Sequence, residues 1–398
     1  MKKKLLFVID SLHCAGAEKS LVTLLSLLDF DVYDVDLMLF AHGGMLEKLV
    51  PEKVKILPPL AYSAFARLPL KKAVHYAVRH SAYRMLAARL KYTFAIRMRH
   101  YSNPEKARIF WQTAGKVIGQ LPGTYDIAIS YAQGVPTFYV ADKVKAKKKF
   151  AWVNVSYRLN EKERKFQDLF YQQYNKVVAV SHTTRTIFLQ TFPKIVQRMT
   201  VIYDIHNPVF IRKMAAAGAG YEDGFKGIRI LTIGRLAHQK GYDIALSACK
   251  ILKEKGIFFR WYVLGKGELE KQIVAEIKKN HLEDCFILLG VTANPYPFIK
   301  NADLYVQTSK YEGFGLAVAE ARMLDIPVVT TRFDAVYNQM IHGKNGLITD
   351  MNGKAVSEAI EKLLKNQQLK QSIVEYLQKE QKGNIHEIKK LYQLIDGV

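Results

Sequence analysis

The sequence predicts an α/β protein made of two doubly wound domains, each a parallel sheet with helices on both faces. Three observations predict it. Short apolar runs alternate with helix-length patterns through most of the 398 residues, the signature of parallel strands joined by crossover helices. At roughly 100–200 residues per domain the length corresponds to two or three domains, and a composition that is 49% hydrophobic fills their cores. The pattern breaks over 204–219, where His206-Asn207-Pro208 interrupts it and a small, flexible Ala-Ala-Ala-Gly-Ala-Gly run begins at Ala215. Each half on its own then reads as a complete Rossmann-like domain.

The first strand follows Met-Lys-Lys-Lys. That start imitates a secretory leader, but the apolar run, 5–9, is only five residues long before Asp10, so it reads as a buried strand. Further strands are expected at 35–40, 54–57, 126–130, 150–155, 177–180 and 200–203, with helices at 17–28 and 183–192. In the second half, strands fall at 228–233, 258–264, 286–289, 304–307, 328–330 and 347–348. Helices fit at 241–255, 268–279, 314–324, 334–341 and 353–366. The expected domains are 1–205, with a basic helical insertion at 62–116, and 206–368. A helical segment, 369–398, has no sheet of its own and is expected to pack back on the first domain. Open sheets of this class bind ligands at the carboxyl ends of their strands, so two facing sheets would enclose a cleft with one ligand per domain.

The charge is one-sided. There are 59 Lys+Arg against 36 Asp+Glu, a formal net of +23. The first 205 residues hold 32 basic and 15 acidic residues, and the remainder 27 and 21. Residues 62–116 alone carry twelve basic residues against Glu105. Interleaved with them are Tyr76, Tyr83, Met85, Leu86, Leu90, Tyr92, Phe94 and Ile96, a mixture that suits a helical hairpin on an anionic lipid surface. There each basic residue contributes about 1 kcal/mol. Lys145, Lys147, Lys148 and Lys149 would extend the patch. The Arg and Lys positions scatter around a helical wheel, so a solvated basic face is the plain alternative. Nucleic acid is not an expected partner, because no recognition helix, RNP-like strand or zinc finger accompanies the charge. No apolar run approaches the roughly 18–20 residues that cross a bilayer, so membrane contact would be peripheral. Cys14, Cys249 and Cys285 are far apart and lack CxxC or Cys/His spacing, which excludes a disulfide framework and a zinc module and suits a reducing cytoplasm.

Two segments carry chemistry. Ile233-Gly234-Arg235-Leu236-Ala237-His238-Gln239-Lys240-Gly241 lies between a strand and a helix. It sets two cations beside a helix N-terminus, where a diphosphate can be held. Alone, this is also what two exposed basic residues in a loop look like. Downstream, Ser309-Lys310-Tyr311-Glu312-Gly313-Phe314-Gly315-Leu316 leads into a helix that carries Glu320 among Ala, Val and Leu. Glycines expose backbone N–H groups there, and carboxylates accept from sugar hydroxyls.

Together these segments resemble the group-1 (family 4) glycosyltransferases of the GT-B fold. The resemblance is close over roughly 228–350, including Gly265-Lys266-Gly267 and Asn301-Ala302-Asp303-Leu304, and looser across the first domain. It implies retaining transfer of a sugar from a nucleotide diphosphate sugar, with no metal and no cofactor. It further implies that Arg235 and Lys240 hold the diphosphate, Glu312 the transferred sugar, Glu320 the ribose, and that Gly234, Gly313, Phe314, Gly315 and Leu316 complete the donor site. In the first domain Cys14-Ala15-Gly16-Ala17-Glu18 resembles the family's glycine-rich loop, with Gly16 on the donor and His13 and Ala15 on the acceptor or sugar side. The family's strand ending in His is here Ala151-Trp152-Val153-Asn154. Asn154 can hydrogen-bond a sugar hydroxyl but cannot act as acid or base.

The expected function is therefore hexose transfer, from UDP-hexose in the leading reading, to a lipid-linked surface-polysaccharide acceptor at the cytoplasmic face of the membrane. The rivals are a GT-B enzyme working on a soluble acceptor, a nucleotide-sugar epimerase, and a non-catalytic nucleotide-sugar or lipid-binding scaffold. Ser181-His182 lacks a placed acid and makes a poor hydrolase triad.

Overall fold

The computed structural model describes residues 2–13, 16–99, 101–155 and 159–397. The loop residues Cys14 and Ala15 lie outside them, so the expectation placed on Ala15 has no structural counterpart. The chain forms two compact units, the first from 2–13, 17–203 and 388–397, the second from 204–387 together with Gly16.

The first unit begins β1 (Lys3–Ile9), α1 (Gly16–Leu25), β2 (Tyr33–Leu39) and β3 (Val54–Ile56). Four helices follow: α2 (Ala61–Ala66), α3 (Leu70–Arg79), α4 (Tyr83–Arg97) and α5 (Asn103–Ala114). The sheet resumes with β4 (Tyr125–Ser130), α6 (Val135–Lys143), β5 (Ala146–Val153), α7 (Glu161–Tyr171), β6 (Lys176–Ala179), α8 (His182–Thr191) and β7 (Met199–Val201). Strand order is β3-β2-β1-β4-β5-β6-β7, with parallel pairing. Leu5, Leu6, Phe7 and Val8 in β1 are all buried, because a central parallel strand is covered on both faces; this is why it reads as a continuous apolar run.

The second unit contains α9 (Pro208–Ala216), β8 (Ile228–Ile233), α10 (Tyr242–Glu254), β9 (Phe259–Leu264), α11 (Glu270–Lys279) and β10 (Phe286–Gly290). It continues through α12 (Tyr296–Lys300), β11 (Leu304–Gln307), α13 (Leu316–Met323), β12 (Val328–Thr331), β13 (Gly346–Thr349), α14 (Gly353–Lys365) and α15 (Gln367–Lys379). The order β10-β9-β8-β11-β12-β13 is again parallel, and β8 and β11 are the neighbours at which the winding reverses. A last helix, α16 (Ile388–Asp396), belongs to the first unit.

Several expectations change. The 204–219 segment is not a plain break: Asn207 caps α9 by accepting from the Phe210 N–H at 3.1 Å, and Pro208 occupies the first turn. The helix expected at 334–341 is only a single 3₁₀ turn, Val336–Asn338. The 369–398 segment is two helices, and Ile373 and Leu377 of α15 pack in the second unit's core. Cys249 and Cys285, distant in sequence, are neighbours in that core with sulfurs 3.6 Å apart as free thiols.

The basic insertion is partly core. Trp111, Tyr62, Phe65, Ala73, Ala77 and Ala88 join the first unit's apolar cluster. Arg108 leaves the charged surface altogether: it is buried and donates to the Glu163 carboxylate at 2.7 Å. Lys147 pairs with Asp126, and half-buried Lys149 donates to the Ala141 carbonyl.

Candidate active site

The loops leaving β8 and β11 lie at the carboxyl ends of adjacent strands, at the point where the winding reverses, the usual ligand position in open α/β sheets. In the first loop, a short turn (His238–Lys240) ends at Gly241, which caps α10 in the left-handed region at φ 63°. A Cβ on Gly241 would stand 2.1 Å from the Thr308 carbonyl oxygen, so glycine is what lets the two loops touch. Thr308 returns a hydrogen bond, its hydroxyl donating to the Lys240 carbonyl at 2.9 Å. The Lys310 N–H donates to the Gln239 carbonyl at 2.8 Å.

Between these anchors Lys240 meets Glu312, with Nζ 2.5 Å from Oε1 and Glu312 only 7% exposed. The Ser309 hydroxyl donates to the same oxygen at 2.6 Å, and the Gln307 amide approaches it at 3.3 Å. The Gln239 amide donates to the Tyr311 carbonyl at 2.9 Å and reaches Glu312 Oε2 at 3.4 Å. Arg235 is solvent-facing, its guanidinium 3.5 Å from Gln239 Oε1. The cluster thus joins two cations and a carboxylate through neutral donors. Behind it, burial raises the Tyr305 phenol well above its ordinary value; still protonated, it donates to the side-chain Oε1 of Gln307 and so turns the Gln307 Nε2 toward Ser309.

Glu320 is separate from this cluster. It is 4% exposed on α13 and accepts from the Tyr296 hydroxyl at 3.1 Å. Burial, reinforced by the Glu320 charge, raises the Tyr296 phenol well above its ordinary value and keeps it a donor. Between the two carboxylates, the Phe314 and Gly315 carbonyls accept from the Gln339 amide, at 2.5 and 3.1 Å. With its carbonyls held there, the turn opening α13 at Leu316 keeps one shape. The His206 ring lies tilted against Phe314, with 5.4 Å between ring centroids.

His13 and Gly16 are exposed around the β1-to-α1 connection. Asn154, after β5, donates to the Tyr131 carbonyl at 2.6 Å, while its buried Oδ1 has no partner among the described residues. Ser181 is a helix cap, accepting from the Thr184 N–H at 3.0 Å. Sequence reasoning thus missed Gln239, Gln307, Ser309 and Gln339, the neutral residues that hold the charged ones.

Comparison with known proteins places this arrangement. The family described as glycosyl transferases group 1 matches residues 225–380. The amylovoran biosynthesis glycosyltransferase AmsK of Erwinia amylovora is 32% identical over 127 residues, 30% of this chain and 31% of that protein. The capsular polysaccharide biosynthesis glycosyltransferase CapM of Staphylococcus aureus is 29% identical over 146 residues, 35% and 38% of the two chains. The matched region therefore spans about a third of each relative. Likeness of fold extends further: Anabaena HepE, solved with UDP and glucose, superposes with a TM-score of 0.70 at 17% identity, covering 100% of both chains. S. aureus TarM gives 0.68 at 14% identity over 99% of each chain. Residues 225–380, which hold both loops of the site, are thus similar to the group 1 glycosyl transferases, and the two parallel-sheet domains have the fold of the GT-B structures.

Proposed function

We propose that the protein is a retaining, metal-independent glycosyltransferase that moves a hexose from UDP-hexose to a lipid-linked surface-polysaccharide acceptor at the inner face of the cell membrane. The observation that carries this reading is the meeting of Arg235, Lys240 and Glu312 where β8 and β11 end. Transfer breaks the bond between the sugar's anomeric carbon and the diphosphate, and the electron pair leaves on the diphosphate oxygen. Arg235 and Lys240 neutralise that growing charge, the role a metal ion fills elsewhere. The acceptor hydroxyl attacks the same face of the oxocarbenium-like carbon and passes its proton to the departing diphosphate, so no side-chain base is required. Glu312 holds hydroxyls of the transferred hexose, Gly313 and Gly315 offer backbone groups, and Glu320 takes the ribose. On the acceptor side, Asn154 Oδ1, which has no partner among the described residues, receives a hydroxyl, and His13 is the second acceptor-side residue.

UDP is favoured because HepE was solved with it, and a polysaccharide product because AmsK and CapM are named for polysaccharide synthesis. The test is a panel of UDP-, GDP- and ADP-sugars with and without EDTA. Release of nucleoside diphosphate from one UDP-hexose, undiminished by EDTA, supports the reading, and a strict metal requirement removes the metal-free mechanism. Inversion at the anomeric carbon by NMR would remove retention, and nucleotide binding without turnover would favour a scaffold.

A further inference from the structure

Helices α3 and α4 leave a long apolar face uncovered. On α3, Leu70, Val74 and Val78 recur every fourth residue and are exposed, Val78 to 60%. On α4, Tyr83, Ala87, Leu90 and Phe94 recur at helical spacing and are exposed, with Met98 at the cap completing the row. Phe94 and Met98 are 68% and 67% exposed. The opposite face of α4 is apolar too: Ala88 is buried, Met85 and Leu86 pack on the first unit's core, and Tyr92 meets Phe110 edge-on at 5.3 Å. A helix that is apolar on both faces is ordinarily covered on both, and a contiguous exposed apolar patch marks an interaction surface.

The charge around these rows identifies what covers them. From Lys53 to Pro104 the chain has eleven Lys and Arg and no Asp or Glu. Lys71, Lys72, Arg79, Arg84, Lys91 and Arg97 are exposed and have no carboxylate partner among the described residues. A second copy of this face would oppose cation to cation. An anionic bilayer accepts both components at once, the apolar side chains at the acyl boundary and the Lys and Arg heads at the phosphates.

We propose that α3 and α4 form a membrane-docking surface that inserts Val78, Leu90, Phe94 and Met98 into the interfacial layer of an anionic bilayer. This deepens the membrane part of the proposed function and rests on it for its biological sense, but binding itself needs no transferase activity. Insertion differs from simple charge attraction, which salt removes within a Debye length.

The experiment is vesicle flotation of the full chain with phosphatidylcholine alone and with phosphatidylglycerol added, at low and high salt. A Phe94→Trp variant reports the environment of the side chain. Expected results are flotation with anionic vesicles only, partial retention at high salt, and a blue shift of Trp emission on vesicle addition. The Leu90→Ser/Phe94→Ser variant, altered only at exposed positions, should bind at least tenfold more weakly and lose the salt-resistant fraction. Unchanged flotation of that variant, an unshifted Trp spectrum, or a wild-type dimer that the variant converts to monomer would overturn the proposal. UDP-sugar turnover measured in the same samples without vesicles keeps the two readings apart. An inert protein that still docks refutes only the transferase reading, and an active one that does not dock refutes only this one.

Discussion

Lys240 and Glu312 pose a question of energy before one of chemistry. The pair is nearly buried, and removing one member of such a pair leaves the other's charge uncompensated, at a cost of about 3 kcal/mol. Lys240→Ala alone should therefore destabilise the protein by roughly that amount. Adding Glu312→Gln should recover most of it, because the amide needs no counter-charge and still receives Ser309. Activity should follow another rule, lost in both single variants and in the double. Urea unfolding beside donor turnover checks this, and recovery of activity with stability in the double variant would show that the pair is structural. His206 gives a second residue-scale outcome. Its Nδ1 faces the Asp204 carbonyl at 2.9 Å and Nε2 is buried without a partner among the described residues. Burial lowers its pKa, opposed by Glu320 and aided by Arg322. The unfolded chain thus takes up the proton first, so stability is full above the unfolded value of 6.5 and falls as pH drops through it. As pH falls from about 7 to about 5, the wild type should lose more stability than His206→Asn. Parallel pH profiles of the two in denaturant titrations would disprove this.

At the scale of elements, α10 is bounded by two glycines that separate steric from conformational effects. Gly241 before it and Gly256 just after it have φ of 63° and 71°, so both disfavour alanine on conformational grounds. Only Gly241 also faces a neighbour, whereas nothing lies within 4 Å of a Cβ at Gly256. Gly256→Ala should cost about 1 kcal/mol and leave the site working. Gly241→Ala should cost clearly more and reduce donor binding, since it must push the β11 loop away. Equal losses in chemical denaturation would mean that the loops do not depend on their close approach. The elements were legible in sequence where burial is two-sided, as in β1, and where charge or glycine marks a loop, as at Arg235, Lys240 and Glu312. Asn207-Pro208 misled because the same dipeptide that stops one helix caps and starts another. Over 334–341, Val336 and Met340 keep helical spacing, but the backbone leaves the helix at Gln339, whose side chain is drawn to the Phe314 and Gly315 carbonyls. Gln239, Gln307 and Gln339 had no sequence signal of their own: a neutral amide has no periodicity, and two of these three find their partners more than twenty residues away.

At the scale of the whole molecule, the chain returns at its end to the unit in which it started. Leu391 and Ile395 of α16 are buried. The Tyr392 ring stacks on Tyr33 at 5.6 Å, while its hydroxyl donates to the Leu27 carbonyl at 3.0 Å and accepts from the Asp29 N–H at 3.1 Å. Lys3 pairs with Asp396 at 2.6 Å, but both side chains are well exposed and the pair contributes little. Each fully buried aliphatic side chain contributes about 1.5–3 kcal/mol, so losing α16 should cost the first unit on the order of 5 kcal/mol. The cost should also be local. Because 204–387 forms a unit with its own core, ending the chain at Glu387 should speed hydrogen exchange in β1, β2 and α1. Exchange in β8, β9 and α10 should stay unchanged, and so should stabilisation of the second unit by UDP. Uniformly faster exchange across both sheets would mean that the units unfold as one body, and the α16 contacts would then support the whole chain rather than the first unit alone.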